Sequence, residues 1–321
     1  MRHSQVLVIG GSGFIGGHLV AELAARGKRV VVPTRNRMAA RRLLSLPTVD
    51  VVEANVNRDD ELASLVARAD AVVNLVGLLH DRRGKPWGPG FEAAHVRLPA
   101  RIAAACVAAG VHRLLHMSAL GVVEGGEASA PSMYLRSKAA GERAVRESGV
   151  RDWTIFRPSV VFGPDDRFLN LFARLQKWLP FMALGRADAK FQPVYVGDVA
   201  RAFANALDEP ATFRHCYELA GPDVYTLREL VRFAGELAGA RRPVIGLNEE
   251  LGRTQALLLE LAPGPTLMSR DNYDSMSIDN VASGPIAPEL GVQPASLAAL
   301  APRWTAERNR RIGAVRTRAH R

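Results

Sequence analysis

Cysteine is nearly absent: Cys106 and Cys216 are the only two in 321 residues, with no C-x-x-C spacing. A disulfide framework is therefore excluded, and both thiols, in apolar contexts, read as buried and reduced. No apolar run approaches the roughly 18 residues that a membrane-spanning helix needs. Met1-Arg2-His3-Ser4 leads straight into the first apolar stretch, so no secretory leader is expected. His80, His112 and His116 have no metal-ligand spacing to cysteine or acid, so no metal site is expected. There is no internal repeat and no low-complexity linker. Beyond Trp304, no aromatic interleaves with the C-terminal arginines, which argues against nucleic acid as a partner.

What is present is a large apolar fraction, 48%, enough to bury a substantial core. The net charge of +10 is uneven: residues 303–321 hold seven arginines and one glutamate, leaving +4 for the rest. Such a tail is either a solvated end or a contact for an anionic membrane or acidic protein.

The first half alternates short β-branched runs with longer amphipathic ones. Gln5–Ile9, Arg29–Pro33, Val49–Ala54, Ala71–Val76, Arg113–Ser118 and Trp153–Arg157 read as strands. Gly13–Arg26, Asn36–Leu46, Asp59–Arg68, Phe91–Gly110 and Tyr134–Ser148 read as helices. This order predicts an α/β, Rossmann-type, doubly wound parallel sheet. After Pro158 the rhythm breaks. Phe168–Leu179, 198–207, Thr226–Ala238 and Glu249–Leu261 read as helices, Gln192–Val196 as a strand, and Cys216–Ala220 as a strand able to rejoin the sheet. The expected division is a dinucleotide-binding domain over 1–162, a capping lobe over 163–302 laid on the sheet's carboxyl edge, and a basic tail over 303–321.

Strand one runs directly into Gly10-Gly11-Ser12-Gly13-Phe14-Ile15-Gly16. Gly10 allows the tight turn, Gly13 lets backbone approach a pyrophosphate, and Gly16 permits close helix–sheet packing. The helix that follows aims its positive end at the phosphates. Position after a strand and before a helix makes this spacing specific. The end of strand two, Pro33-Thr34-Arg35-Asn36-Arg37, lacks the acid that would hold a ribose 2′-hydroxyl. Arg35 suits a 2′-phosphate instead, with Ser12 as a further donor, so NADP(H) is expected ahead of NAD(H). Asn55 and Val56, at the end of strand three, are candidates for the adenine edge. Leu75, Val76 and Gly77, at the end of strand four, are candidates for the surface beneath the cofactor.

Strand five ends in Met117-Ser118-Ala119, and Tyr134-Leu135-Arg136-Ser137-Lys138 follows. Tyr134 and Lys138, four residues apart, share a helix face. A neighbouring ammonium is expected to lower the phenol pKa, and Lys138 can also hold ribose hydroxyls. Tyr134 can exchange a proton with a substrate oxygen that Ser118 polarises, while hydride moves to or from a nicotinamide.

The ordered set Gly10–Gly16, Ser118, Tyr134/Lys138 and Arg157-Pro158-Ser159-Val160-Val161-Phe162-Gly163-Pro164 resembles the short-chain dehydrogenase/reductase superfamily, in its extended and atypical branches, over nearly the whole chain. The resemblance implies a seven-stranded Rossmann sheet, Ser118, Tyr134 and Lys138 as the catalytic triad, and a Pro158–Val161 backbone bordering the nicotinamide. Further segments resemble one atypical group: Asn74–Gly77, His95–Pro99, Leu115–Gly121, Trp153–Ser159, Gln192–Val196 and Leu267–Asn272. That group holds the nucleotide-binding accessory subunit of respiratory complex I and its stand-alone bacterial relatives, which are similar to proteins linked to ubiquinone metabolism. The resemblance thus implies either an NADP(H)-dependent oxidoreductase for an apolar carbonyl, alcohol or quinone-related compound, or a non-catalytic nucleotide-binding accessory protein of a respiratory or quinone-synthesis complex. The expected place is the cytoplasm, with at most peripheral contact with the inner membrane.

Departures narrow this. Sugar-nucleotide epimerases carry asparagine where Val160 stands, so a sugar nucleotide is not expected. His95 occupies a position where many relatives have asparagine, and reads equally as a pocket donor or a packing residue. The stripe Phe168, Leu169, Leu171, Phe172, Leu175, Trp178 and Leu179 reads foremost as the core face of the lobe, then as a wall for an apolar substrate or a membrane contact.

Overall fold

A computed structural model describes residues 3–264 and 266–302; the basic tail, 303–321, lies outside the described residues. Seven parallel strands form the central sheet: β1 (Gln5–Ile9), β2 (Arg29–Thr34), β3 (Val49–Glu53), β4 (Ala71–Asn74), β5 (Arg113–Met117), β6 (Asp152–Pro158) and β7 (His215–Leu219). Their spatial order is β7-β6-β5-β4-β1-β2-β3, with the order reversing between β1 and β4. That reversal is the switch point where doubly wound sheets open a crevice beyond the carboxyl ends of the strands.

The inner strands β1 and β4 read as largely apolar runs because both faces are covered. In β1, Val6 and Val8 join one core with Leu19, Leu23 and Phe203, while Leu7 and Ile9 join the other with Leu62, Ile102 and Trp153. The first core is roofed by α1 (Phe14–Ala25), the second by α2 (Asp59–Val66), α3 (Leu98–Ala109) and α4 (Met133–Arg146).

Residues 163–302 build both a lobe and part of the sheet layer. The lobe has its own core, in which α5 (Phe168–Trp178) lies against Leu227, Leu230 and Val231. Yet α6 (Val196–Ala206) packs on α1, and β7 pairs in register with β6, Cys216 beside Ile155. Buried Arg113 ties this return together by donating to the Ala206 and Leu207 carbonyls and to Thr154 and Thr212 Oγ1.

Three elements differ from expectation. The helix expected over 36–46 is only a 3-10 turn, Arg37–Ala40, followed by turns. Asn36 accepts from the Met38 N–H at 2.9 Å, and successive i to i+3 bonds (Leu43 to Ala40, Leu46 to Leu43) carry the chain on to Pro47. The helix expected over 91–110 is continuous, but Glu92–Arg97 is π-helical. The strand expected over 192–196 shrinks to Val194–Tyr195, because Val196 already begins α6.

Candidate functional site

The glycine loop leaves β1 through Gly10, whose φ of +87° favours glycine. A Cβ on Gly16 would lie 2.3 Å from the Gly10 carbonyl, so only glycine lets α1 start this close to the strand. Gly13 is exposed and is the N-cap of α1, with no side chain bonding the first-turn N–H groups. Those donors, with the helix dipole behind them, fit an anionic diphosphate. Ser12 and Ile15 are partly exposed beside them, and Phe14 packs under Gly163.

Toward one edge, Arg35 is exposed where β2 ends, and no acid stands between Pro33 and Arg37. In the neighbouring strand, Ala54 N–H donates to the Thr34 carbonyl, which brings Asn55 and Val56 alongside. The Asn55 carboxamide oxygen is engaged with the Asn57 N–H at 3.1 Å, and Val56 packs on the core. Toward the centre, Gly10 approaches Leu75 and Val76 so closely that its Cβ would meet Leu75 C at 3.1 Å. A Cβ on Gly77 would come within 3.3 Å of Lys138 Nζ.

Lys138 Nζ donates to the Met117 carbonyl at 3.1 Å, which fixes α4 over the end of β5. Ser118 N–H then donates to Phe156 and Leu120 N–H to Pro158, so the Pro158–Val161 segment borders the same crevice. Thus Ser118, Lys138, Gly77 and Pro158 converge, with Tyr134 one turn before Lys138. Arg35 and Asn55 lie toward the far edge, past the ends of β2 and β3, three and four strands from β5.

The electrostatics reverse one expectation. Burial and the Asp271 carboxylate push the Tyr134 phenol up to about 12. Burial pulls Lys138 down to about 8 despite Glu142. A buried ammonium is too costly to act here as the phenol's dominant partner, so desolvation wins over the expected lowering.

His95 resolves toward packing. Leu78 N–H donates to its Nε2, so Nδ1 carries the proton and donates to Ser137 Oγ, which donates to the Tyr134 carbonyl. Burial, then Lys138 and His116, hold it down to about 2, and its ring stacks on Phe91 at 5.0 Å. Both nitrogens are used within the fold, so it is no free pocket donor.

Ser118 Oγ and His116 Nε2 are among the buried side-chain atoms of the described residues that have no hydrogen-bond partner. Asn74 donates its amide to His116 Nδ1, which leaves the proton on Nε2. Both residues sit on one face of β5, two positions apart. Their unmet hydrogen bonds fit a polar ligand atom bound in the crevice.

The NAD dependent epimerase/dehydratase family matches residues 6–220. The chain belongs to that family. Within the curated proteins it is similar to the mitochondrial NADH dehydrogenase [ubiquinone] 1 alpha subcomplex subunit 9 of Rattus norvegicus, at 33% identity over 90% of this chain and 76% of the relative. The Arabidopsis thaliana protein of the same name is 31% identical over 86% of this chain and 70% of its own. Among solved structures, MoeE5 in complex with UDP-glucose and NAD superposes with a TM-score of 0.68 at 23% identity, over 94% of this chain and 99% of that one. At that identity the likeness shows the fold alone.

Within this epimerase/dehydratase frame, two contributors escaped the sequence reading. Asp271, on α7 (Arg270–Ser275), is buried and accepts from the Met133 and Tyr134 N–H groups at 2.6 and 3.1 Å. It caps the helix that carries Tyr134 and Lys138 from a point 137 residues away in sequence. Gly141 lets that helix cross the π-helical stretch, since a Cβ there would lie 2.1 Å from the His95 carbonyl. The partial sequence signals were a serine before α7 and an unexplained glycine within a helix.

Proposed function

We propose that this chain binds NADP(H), in preference to NAD(H), and acts as an oxidoreductase on an apolar carbonyl, alcohol or quinone-related compound. The observation that carries the reading is the buried, unpartnered Ser118 Oγ beside the Lys138-anchored end of β5. Gly10, Gly13, Gly16, Ser12, Phe14 and Ile15 would hold the diphosphate. Arg35 would hold the 2′-phosphate. Asn55 and Val56 would face the adenine, with Leu75, Val76 and Gly77 under the cofactor and Pro158 and Val161 along its reactive end. When bound, the nicotinamide supplies a hydride donor or acceptor. The chain's own part is to orient: Ser118 donates to the substrate oxygen, and Tyr134, kept protonated, gives that oxygen its proton. Lys138, held by the Met117 carbonyl, positions the phenol and reaches the ribose. Val160, where sugar-nucleotide enzymes use asparagine, supports an apolar substrate.

Calorimetric titration of NADPH and NADH into wild type and Arg35→Ala tests the cofactor reading. NADPH should bind more tightly, and the variant should lose that preference. Tighter NADH binding in wild type would overturn it.

A second reading has its own support: the 31–33% identity to respiratory-complex subunits. On that reading the nucleotide stabilises an accessory protein and is not turned over.

A further inference from the structure

The apolar face of α5 is mostly consumed by the lobe. Leu169 is buried, and Phe168, Phe172 and Leu175 pack on the same core. The last turn is not. Residues 177–181, Lys177-Trp178-Leu179-Pro180-Phe181, are all exposed; Trp178 is 87%, Leu179 41% and Phe181 48% accessible. Met182 N–H donates to the Pro243 carbonyl and Arg242 Nε to the Gln176 carbonyl, which sets 241–243 beside this tip. Ile245, opposite Ala183 in the adjoining strand pair, adds an apolar side chain at 50% exposure.

Around these apolar groups stand Arg174, Lys177, Arg241 and Arg242, with one acid, Glu236, paired to Arg241 at 3.2 Å. Arg174, one turn before Trp178, and Lys177 make no ion pair among the described residues. An exposed tryptophan and phenylalanine ringed by cations match a lipid interface: the rings seat at headgroup depth while the cations meet anionic phosphates. The apolar groups sit on the last residue of a helix and the turn that follows it.

We infer that the Trp178–Phe181 tip, with Arg174, Lys177, Arg241 and Arg242, docks on the surface of an anionic phospholipid bilayer. This surface is independent of the cofactor crevice. The test is co-sedimentation of the full chain with vesicles of phosphatidylcholine alone and of phosphatidylcholine mixed with phosphatidylglycerol. Wild type should pellet with the anionic vesicles, and added salt should weaken it. Replacing both Trp178 and Phe181 with alanine should abolish most binding. The double change Arg174→Glu and Lys177→Glu should weaken it by at least about fivefold for each basic side chain lost. All four positions are exposed, so circular dichroism should report an unchanged fold. Failure of wild type to bind anionic vesicles, or equal binding by the aromatic variant, overturns the inference; equal binding would place the contact on the arginine tail or another face. Loss of a concentration-dependent dimer in the aromatic variant, without vesicle binding by wild type, would assign the tip to a second copy instead.

Discussion

Tyr134, His95 and His116 are held in their neutral forms by burial, and this gives two tests. Tyr134→Phe keeps the ring against His95 and Phe91 but removes the transferable proton. Turnover on an accepted substrate should fall roughly a hundred- to ten-thousand-fold, while calorimetry shows cofactor affinity largely retained. Wild-type turnover in the variant would remove Tyr134 from the chemistry. The second test is acid stability. Burial, then the Lys138 charge, takes His116 down to about 3, and His95 is likewise low, at about 2. Their folded pKa values lie below the unfolded value near 6.5, so the unfolded chain binds more protons under that pH. Their stabilisation is complete above pH ~6.5 and is lost as pH falls toward the folded values. Urea unfolding from pH 7 to 5 should show wild type losing stability, and His116→Gln should lose about 1.4 kcal/mol less per pH unit below pH ~6.5. Identical pH slopes would mean that His116 is not buried neutral.

Among the elements, α4 is the one on which the site turns, and it is held at both ends of the face that carries Tyr134 and Lys138. Lys138 ties it to β5, Glu142 takes Arg157 of β6 in two bonds of 2.8 and 2.6 Å, and Asp271 caps its first turn. Asp271→Ala leaves the Ser132 N-cap in place but removes the charged acceptor of the Met133 and Tyr134 N–H groups, and should cost about 1.5–3 kcal/mol, read by urea unfolding. Asp271→Asn keeps an oxygen for the cap but removes a charge that raises the Tyr134 phenol. Its tyrosinate absorbance should therefore begin at lower pH than in wild type, relative to the Tyr134→Phe background. An unchanged titration would separate the cap from the phenol. The pattern around α4 shows what sequence could convey. Ser118, Tyr134 and Lys138 were legible because helical and strand spacing places them. Asp271 was not, since nothing local connects residue 271 to 133. The 36–46 segment failed for a related reason: its apolar spacing suits a helix, but the Asn36 side chain and the run to Pro47 favour successive tight turns.

At the scale of the whole molecule, no helix among the described residues is long and apolar enough to cross a membrane. The sheet layer draws on both halves of the chain, so crevice and lobe are built together through β7, α6 and Arg113. Whether the nucleotide works or only stabilises is a property of the assembled protein in its cell. Affinity isolation at native abundance distinguishes the two readings. Recovery alone, with turnover, supports the oxidoreductase; stable recovery with respiratory or quinone-synthesis proteins, together with full function of Tyr134→Phe in a deletion strain, supports the accessory role.

The sequence by itself determined the parallel sheet, the glycine loop and the spacing of Tyr134 and Lys138, because periodicity and glycine stereochemistry act over a few residues. Tertiary structure alone decided the protonation of the site, the role of His95, the cap from Asp271 and the exposure of Trp178. Each of these depends on desolvation or contact between residues far apart in the chain, and burial is a property of the packed molecule, not of any segment within it.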